Sequence, residues 1–203
     1  HHPLVTIASK ERVAEQDYIL VGERYKVDKS LDTTYPVVPL SDICEINAEN
    51  KNPTLAFGDD EFIYIDISSV ENGTGKVDFS NKIKGTDAPS RAKRAVKKGD
   101  ILFSTVRPNL KAYGYVERED CDCCVASTGF AVISAKSMVL SKYVYYMLYS
   151  EPVQTQLSSM MGKGAYPSVN QKDVSQIQIP LPSLSIQEDF VAELDSYQKI
   201  IDG

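Results

Sequence analysis

Between Glu61 and Ile133 the apolar residues fall into short β-branched and aromatic blocks, each closed by a cluster of turn-forming residues. That pattern commits the middle of the chain to strands. Glu61-Phe-Ile-Tyr-Ile-Asp-Ile ends at the turn signals of Glu71-Asn-Gly-Thr-Gly, and Ile101-Leu-Phe-Ser-Thr-Val follows the turn Lys98-Gly-Asp. Ala112 to Glu117 and Val125 to Ile133 read as two further strands, with Gly114 and Gly129 inside them. A glycine within a strand marks a bulge or a close backbone approach. Ahead of these blocks, Val37-Val-Pro-Leu-Ser-Asp-Ile-Cys opens the compact domain, and Ser41 or Asp42 is expected to cap a short helical turn.

Helical spacing takes over later. Val144, Met147 and Leu148 share one face of Ser141-Lys-Tyr-Val-Tyr-Tyr-Met-Leu-Tyr-Ser, with Ser141 as the expected N-cap and the tyrosines as core packing rather than a base-stacking platform. Pro152 starts a second helix running to about Met160, and Gly162-Lys-Gly breaks it. A strand at Gln176-Ile-Gln-Ile precedes a last helix, for which Ser185 and Glu188 form a capping box. Its stripe, Ile186, Phe190, Leu194, Tyr197 and Ile201, needs a surface to pack on, either this domain or another helix. The stripe still runs at Gly203, which suggests a longer helix in a longer chain.

What is missing narrows the function. His1 and His2 have the look of a purification-tag remnant, and no other histidine occurs among the 203 residues. Histidine-based triads, general bases and metal sites are thereby excluded together. There is no P-loop and no dinucleotide fingerprint, and Asn52-Pro53-Thr54 is not the motif with which amino-methyltransferases grip a flipped base. The acidic residues single out no nuclease or glycosidase pair. Cys121, Cys123 and Cys124 fit no zinc spacing; with Asp122 they could hold a metal, but the plainer reading is reduced cysteines filling small positions at a strand start in a cytoplasmic protein. No apolar run reaches the roughly 20 residues of a membrane helix.

Charge is unevenly spread. The net charge is -6, yet Lys76 to Arg118 holds 11 basic residues against 4 acidic ones, a segment of +7 that leaves -13 for the remainder. That asymmetry fits one anion-facing surface, or else a solvated set of surface lysines. Downstream, Lys163-Gly-Ala-Tyr-Pro-Ser-Val-Asn-Gln places a cation, an aromatic ring and two amides on one loop; amides pair with adenine edges, and lysine reaches guanine or phosphate. An ordinary exposed loop is the competing description.

Three segments in order, Val96-Lys-Lys-Gly-Asp-Ile-Leu-Phe-Ser-Thr-Val-Arg-Pro-Asn, Gly162-Lys-Gly-Ala-Tyr-Pro-Ser-Val-Asn-Gln and Ile179-Pro-Leu-Pro-Ser-Leu-Ser-Ile-Gln, resemble the target recognition domain of type I restriction-modification specificity subunits. The resemblance spans about Val38 to Gly203. In the lead-in, Asp17-Tyr-Ile-Leu-Val-Gly-Glu-Arg-Tyr is similar to the segment joining an N6-adenine DNA methyltransferase to a fused recognition domain. The chain is thus either a separate subunit or the C-terminal part of such a fusion.

The resemblance implies a mixed α/β (α+β) fold, a curved irregular sheet with flanking helices, followed by a long C-terminal dimerisation or spacer helix. Residues 1–36 are then tag remnant and lead-in, 37–184 the recognition domain, and 185–203 the start of the spacer helix. It implies double-stranded DNA as ligand, one half of a split target per domain, and possible helix-mediated homodimerisation. Catalysis belongs elsewhere: to a methyltransferase subunit or fused domain that carries S-adenosylmethionine, and to a motor-nuclease subunit. No cofactor is expected in this chain. Within that frame Arg91, Lys93, Arg94, Lys111 and Lys163 are candidates to neutralise phosphates, and Arg107, Asn109, Tyr166, Asn170 and Gln171 to reach base edges. Lys97 and Lys98, beside the Gly-Asp turn, are left as structural surface. The rival is a protein-interaction module acting through the last helix, with no DNA reading.

Overall fold

The computed structural model describes residues 35–161 and 167–202, with side chains through Gln198. The expected lead-in helix around Leu4, Ile7, Ala8 and Ala14 to Asp17, the polar linker from Lys26, and the side chains of Lys163, Tyr166 and Ile201 lie outside them.

The strands are β1 (Val37–Pro39), β2 (Cys44–Ile46), β3 (Glu61–Ile65), β4 (Lys82–Lys84), β5 (Ala92–Ala95), β6 (Ile101–Ser104), β7 (Tyr113–Tyr115), β8 (Cys124–Ser127), β9 (Phe130–Ala135) and β10 (Gln178–Pro180). The helices are α1 (Leu40–Ile43), α2 (Pro53–Phe57), α3 (Ser141–Tyr149), α4 (Glu151–Met160), α5 (Gln171–Ser175) and α6 (Leu184–Asp202). The mixed α/β class with flanking helices and a long C-terminal helix is borne out. Its β part is divided into an antiparallel sheet β2-β9-β6-β7, a mixed sheet β4-β3-β8-β5, and a ribbon β1-β10.

Strand alternation explains the layering. Ile101 and Phe103 of β6, with Ala131 and Ile133 of β9, face a core shared with Val144, Leu148, Val153 and Leu157 of α3 and α4. The intervening Leu102, Phe130 and Val132 face the opposite way, into a core shared with Ile63 and Ile65 of β3 and Ala126 of β8. The antiparallel sheet is therefore the middle layer, which is why Ile101-Leu-Phe reads as an unbroken apolar run instead of alternating. The outer face of the mixed sheet packs Phe62 and Tyr64 on Phe57 of α2, with Phe57 and Phe62 stacked at 5.2 Å.

Several local expectations shift. Val125 to Ile133 is two strands in different sheets, and Gly129 sits in the corner between them, where Thr105 N–H donates to its carbonyl. Gly114 does lie inside a strand, and a Cβ there would come 2.5 Å from Val77. Ser41 and Asp42 lie within α1, whose N-cap is Pro39 with no side-chain cap. Ser141 is the first residue of α3, its N-cap being Leu140; the Ser141 hydroxyl donates instead to the Gly99 carbonyl. Ser185 likewise stands inside α6, which begins at Leu184.

The last helix folds back on the domain through one flank of its stripe. Phe190 packs edge-on against Tyr143 at 5.4 Å, and Asp195 accepts from Lys142 Nζ at 3.0 Å and Tyr146 OH at 2.5 Å. Gln187 is fully buried between α6 and the start of α3. Ile186 and Tyr197 remain exposed. No helix among the described residues is long and apolar enough to cross a membrane.

Candidate nucleic-acid interface

Four members of the basic segment, around β5 and the β6–β7 connection, line two grooves: Arg91 and Arg107 the first, Lys93 and Arg94 the second. β5 pairs with β8 through a register shift between Ala92 and Arg94, so Lys93 is the extra residue of a bulge. Ala92 and Ala95 are buried, Lys93 is exposed and Arg94 is half-buried. Arg91, just before the strand, is exposed, and its carbonyl receives Thr128 N–H at 2.8 Å.

The larger groove, about 900 Å³, has Arg91 and Arg107 along it, with Tyr64, Ile67, Val106 and Leu110 among its apolar lining. Asp66 and Glu71 also line it, and both are engaged locally: Asp66 caps the turn Ile67–Ser69, and Glu71 accepts from the Thr74 hydroxyl at 2.7 Å. With carboxylates and guanidiniums facing the same space, the groove is no plain anion bed. It suits a surface offering both donors and acceptors, as base edges do. The smaller groove, about 550 Å³, is lined by Lys51, Lys93 and Arg94. Arg94 Nη1 donates to Asn50 Oδ1 at 2.8 Å, so this guanidinium already has a protein partner. Charge counting along the segment missed Lys51, because it lies outside the segment; its Nζ donates to the Asp122 carbonyl at 2.7 Å and stands 5.5 Å over the Phe57 ring.

Two loops distant in sequence are laced together here. Arg107 N–H donates to the Pro167 carbonyl at 2.8 Å, Val169 N–H to the Thr105 carbonyl at 3.0 Å, and Val106 forms a bridge with Ser168. The structure thus brings the Arg107–Asn109 corner beside the chain leaving the 162–166 segment. Asn109 is exposed at the tip of that corner, and Lys111 is half-buried. Asn170 and Gln171 have partners within the protein. Asn170 caps α5, accepting from Asp173 N–H at 3.0 Å in a reciprocal capping box. The Gln171 amide accepts from Asn47 Nδ2 at 3.0 Å and donates to the Ile46 carbonyl at 3.2 Å. Sequence chemistry saw two amides suited to adenine; the same chemistry suits capping.

The Lys-Gly-Asp turn is structural. Gly99 takes a left-handed φ of 85° and Asp100 accepts from Lys97 N–H at 2.7 Å and the Ser134 hydroxyl at 2.7 Å. Burial raises the Asp100 carboxyl above its usual range, opposed by those two bonds. Lys97 pairs with Glu49 at 3.2 Å and Lys98 with Glu119, as surface ion pairs. Among the described residues no three His, Cys, Asp or Glu side chains form a metal-binding group. Burial pushes the Cys124 thiol up to about 12, away from ligand or nucleophile chemistry.

A layered scaffold that presents cations, amides and laced loops is that of a binding module. Residues 33–202 match the family model described as the type I restriction modification DNA specificity domain. The chain is 30% identical over 159 residues to the specificity subunit of the type I restriction enzyme HindI of Haemophilus influenzae, covering 72% of this chain and 31% of that protein. It is 26% identical over 110 residues to the specificity subunit of the MjaIX enzyme of Methanocaldococcus jannaschii, covering 54% of this chain and 24% of that one. Among solved structures, the HsdS subunit from Thermoanaerobacter tengcongensis superposes with a TM-score of 0.73 at 32% identity, over 84% of this chain and 44% of its own. A structure describing complex assembly and conformational transition of the type I R-M system gives 0.74 at 32% identity, over 83% and 43%. The chain belongs to the type I restriction modification DNA specificity domain family. It spans about a third or less of the curated relatives it matches, and less than half of those solved chains.

Proposed function

We propose that this chain is a target recognition domain that reads one half of a split double-stranded DNA sequence for a partner enzyme. The observation that carries the reading is that Arg91, just before β5, and Arg107, at the corner laced to Pro167 and Val169, line one groove, with Lys93 and Arg94 of the β5 bulge lining the second, within a chain of the specificity family. Arg91, Lys93 and Lys111 hold the phosphate backbone, with Lys163 as a further candidate; Arg94, tied to Asn50, adds charge from the second groove. Arg107 and Asn109 reach base edges, and Tyr166 is a further candidate for that role. Asn170 and Gln171 can offer both amide atoms to a base only by giving up bonds that position α5, and their first role is to hold the loop.

The chemistry belongs to others. An N6-adenine methyltransferase, as a subunit or a fused domain, supplies S-adenosylmethionine and methyl transfer, and a motor-nuclease subunit cleaves DNA. The exposed flank of α6 pairs with a counterpart helix, in a homodimer or a second recognition domain, to complete the split site. The working compartment is the cytoplasm. The rival reading, a protein-interaction module acting through α6 with the basic segment on an acidic protein, is less favoured because the chain belongs to the DNA specificity domain family.

The test is selection from a randomised duplex pool at low and moderate salt, with and without the methyltransferase module. Enrichment of a short half-site is expected, relaxed at one position by Arg107→Ala. No retention of DNA under either condition refutes the reading.

A further inference from the structure

The connection between β6 and β7 runs over residues 105–112, longer than the roughly two to five residues that close most hairpins. Its backbone is strained in two places: Arg107 (φ 49°) and Lys111 (φ 55°) are both left-handed, a conformation that non-glycine residues rarely adopt. Pro108 between them fixes the turn Pro108–Leu110. The strain is held from beneath. Fully buried Tyr113 donates its hydroxyl to the Pro108 carbonyl at 2.7 Å, and fully buried Ser104 donates to the Val106 carbonyl at 2.8 Å. Gly73 N–H donates to the Lys111 carbonyl at 3.1 Å, and Arg107 N–H to Pro167. A connector does not need such anchoring, whereas a preorganised reading element does.

What this corner presents is partly apolar. Val106 and Leu110 are 38% and 43% exposed, and both line the large groove beside Arg107. We propose that Leu110, backed by Val106, contacts the 5-methyl group of a thymine in the DNA half-site, making Leu110 a specificity-determining residue. The proposal rests on the DNA-reading function above. Arg91 and Arg107 in the groove, where Asp66 and Glu71 are engaged by the Ser68 and Thr74 hydroxyls, together with Lys111 next to Leu110 in the chain, supply the positive charge that selects DNA as occupant of this apolar patch. The degree of exposure selects the mode. A wedge between base steps must stand clear of the surface, as Leu55 does at 85%. Two half-covered side chains offer a shallow patch instead, matched to a methyl group, which thymine displays only in the major groove.

The experiment uses the full chain with its methyltransferase module and the half-site enriched from the random pool. Each thymine is replaced singly by deoxyuridine, which removes the methyl and leaves base pairing intact. One replacement is expected to weaken wild-type binding roughly fourfold, the effect of withdrawing one buried methyl-sized group. Leu110→Ala should weaken binding to the thymine duplex and be insensitive to that same replacement. Val106→Ala, with thermal melting of both variants, guards against misfolding. The proposal is overturned, with the DNA-reading function intact, if the half-site contains no thymine, or if every deoxyuridine duplex discriminates wild type and Leu110→Ala equally. Absence of any enriched half-site overturns both.

Discussion

Gln187 offers the sharpest test of how the C-terminal helix is held. Its side chain is fully buried, accepting from Leu140 N–H at 2.8 Å and donating to the carbonyls of Pro182 at 2.9 Å and Met138 at 3.4 Å. Gln187→Leu keeps the volume and removes all three bonds. Two well-formed bonds are lost at about 1 kcal/mol each, and the buried groups left unpaired add about 1–3 kcal/mol. The extra apolar burial of leucine offsets roughly 1–2 kcal/mol of this. The net cost is about 1–4 kcal/mol, equivalent to a melting temperature lower by roughly 2–16 °C for a domain of this size. Gln187→Glu sharpens the test through pH. A carboxylate can accept from Leu140 but meets two carbonyl lone pairs, so the folded state favours its protonated form and raises its pKa. A raised folded pKa gives stability that is present at low pH and lost as pH rises, so Gln187→Glu should be less destabilised at pH 5 than at pH 8. Urea unfolding of wild type and both variants at the two pH values measures this. Unfolding free energies of both variants within about 0.5 kcal/mol of wild type would refute the argument that these bonds anchor α6.

Three further outcomes follow from the same geometry. With five candidate phosphate contacts, the affinity for DNA should fall with salt at a log–log slope of about -4.5, and Lys93→Ala should flatten it by about 0.9. Asn170→Asp should preserve the α5 cap and the melting temperature, whereas Asn170→Ala should cost about 1 kcal/mol; if Asn170 also reads adenine, only a binding assay will distinguish Asn170→Asp from wild type. Burial pushes Cys44 up to about 12 from an ordinary 9.0, and Tyr113 and Tyr143 up to about 12 from 10.0. Because the unfolded groups ionise first, stability should hold below pH 9 and fall as pH rises towards 12, while native Cys44 resists iodoacetamide at pH 8; loss of stability already between pH 7 and 8.5, or rapid alkylation, contradicts this.

Short-range physics was legible in the residues. The β-branched block at Glu61–Ile65, the Pro152 helix start and the face of Val144, Met147 and Leu148 depend on periodicity and local sterics, which the chain carries with it. The uneven charge and the absence of any histidine after His2 bound the chemistry from the residues alone. Position at the ends of elements was not legible, because a polar side chain binds whichever partner the tertiary fold supplies. Ser141 could cap α3, yet its hydroxyl reaches Gly99 across the fold. Asn170 and Gln171 have the chemistry of base readers, but the fold places an α5 backbone N–H and Asn47 within their reach.

Only the tertiary structure decided that Val125 to Ile133 divides between two sheets, that Arg107 sits left-handed beside Pro167, and that Val106 and Leu110 share a groove with two arginines. These are contacts between residues far apart in the chain, fixed by how buried faces stack and by where buried hydrogen-bond partners are found. Sequence by itself determined which segments could form strands and helices and where positive charge would gather. Packing then decided which of those charges and loops came to lie side by side, since that depends on distance through space and not along the backbone.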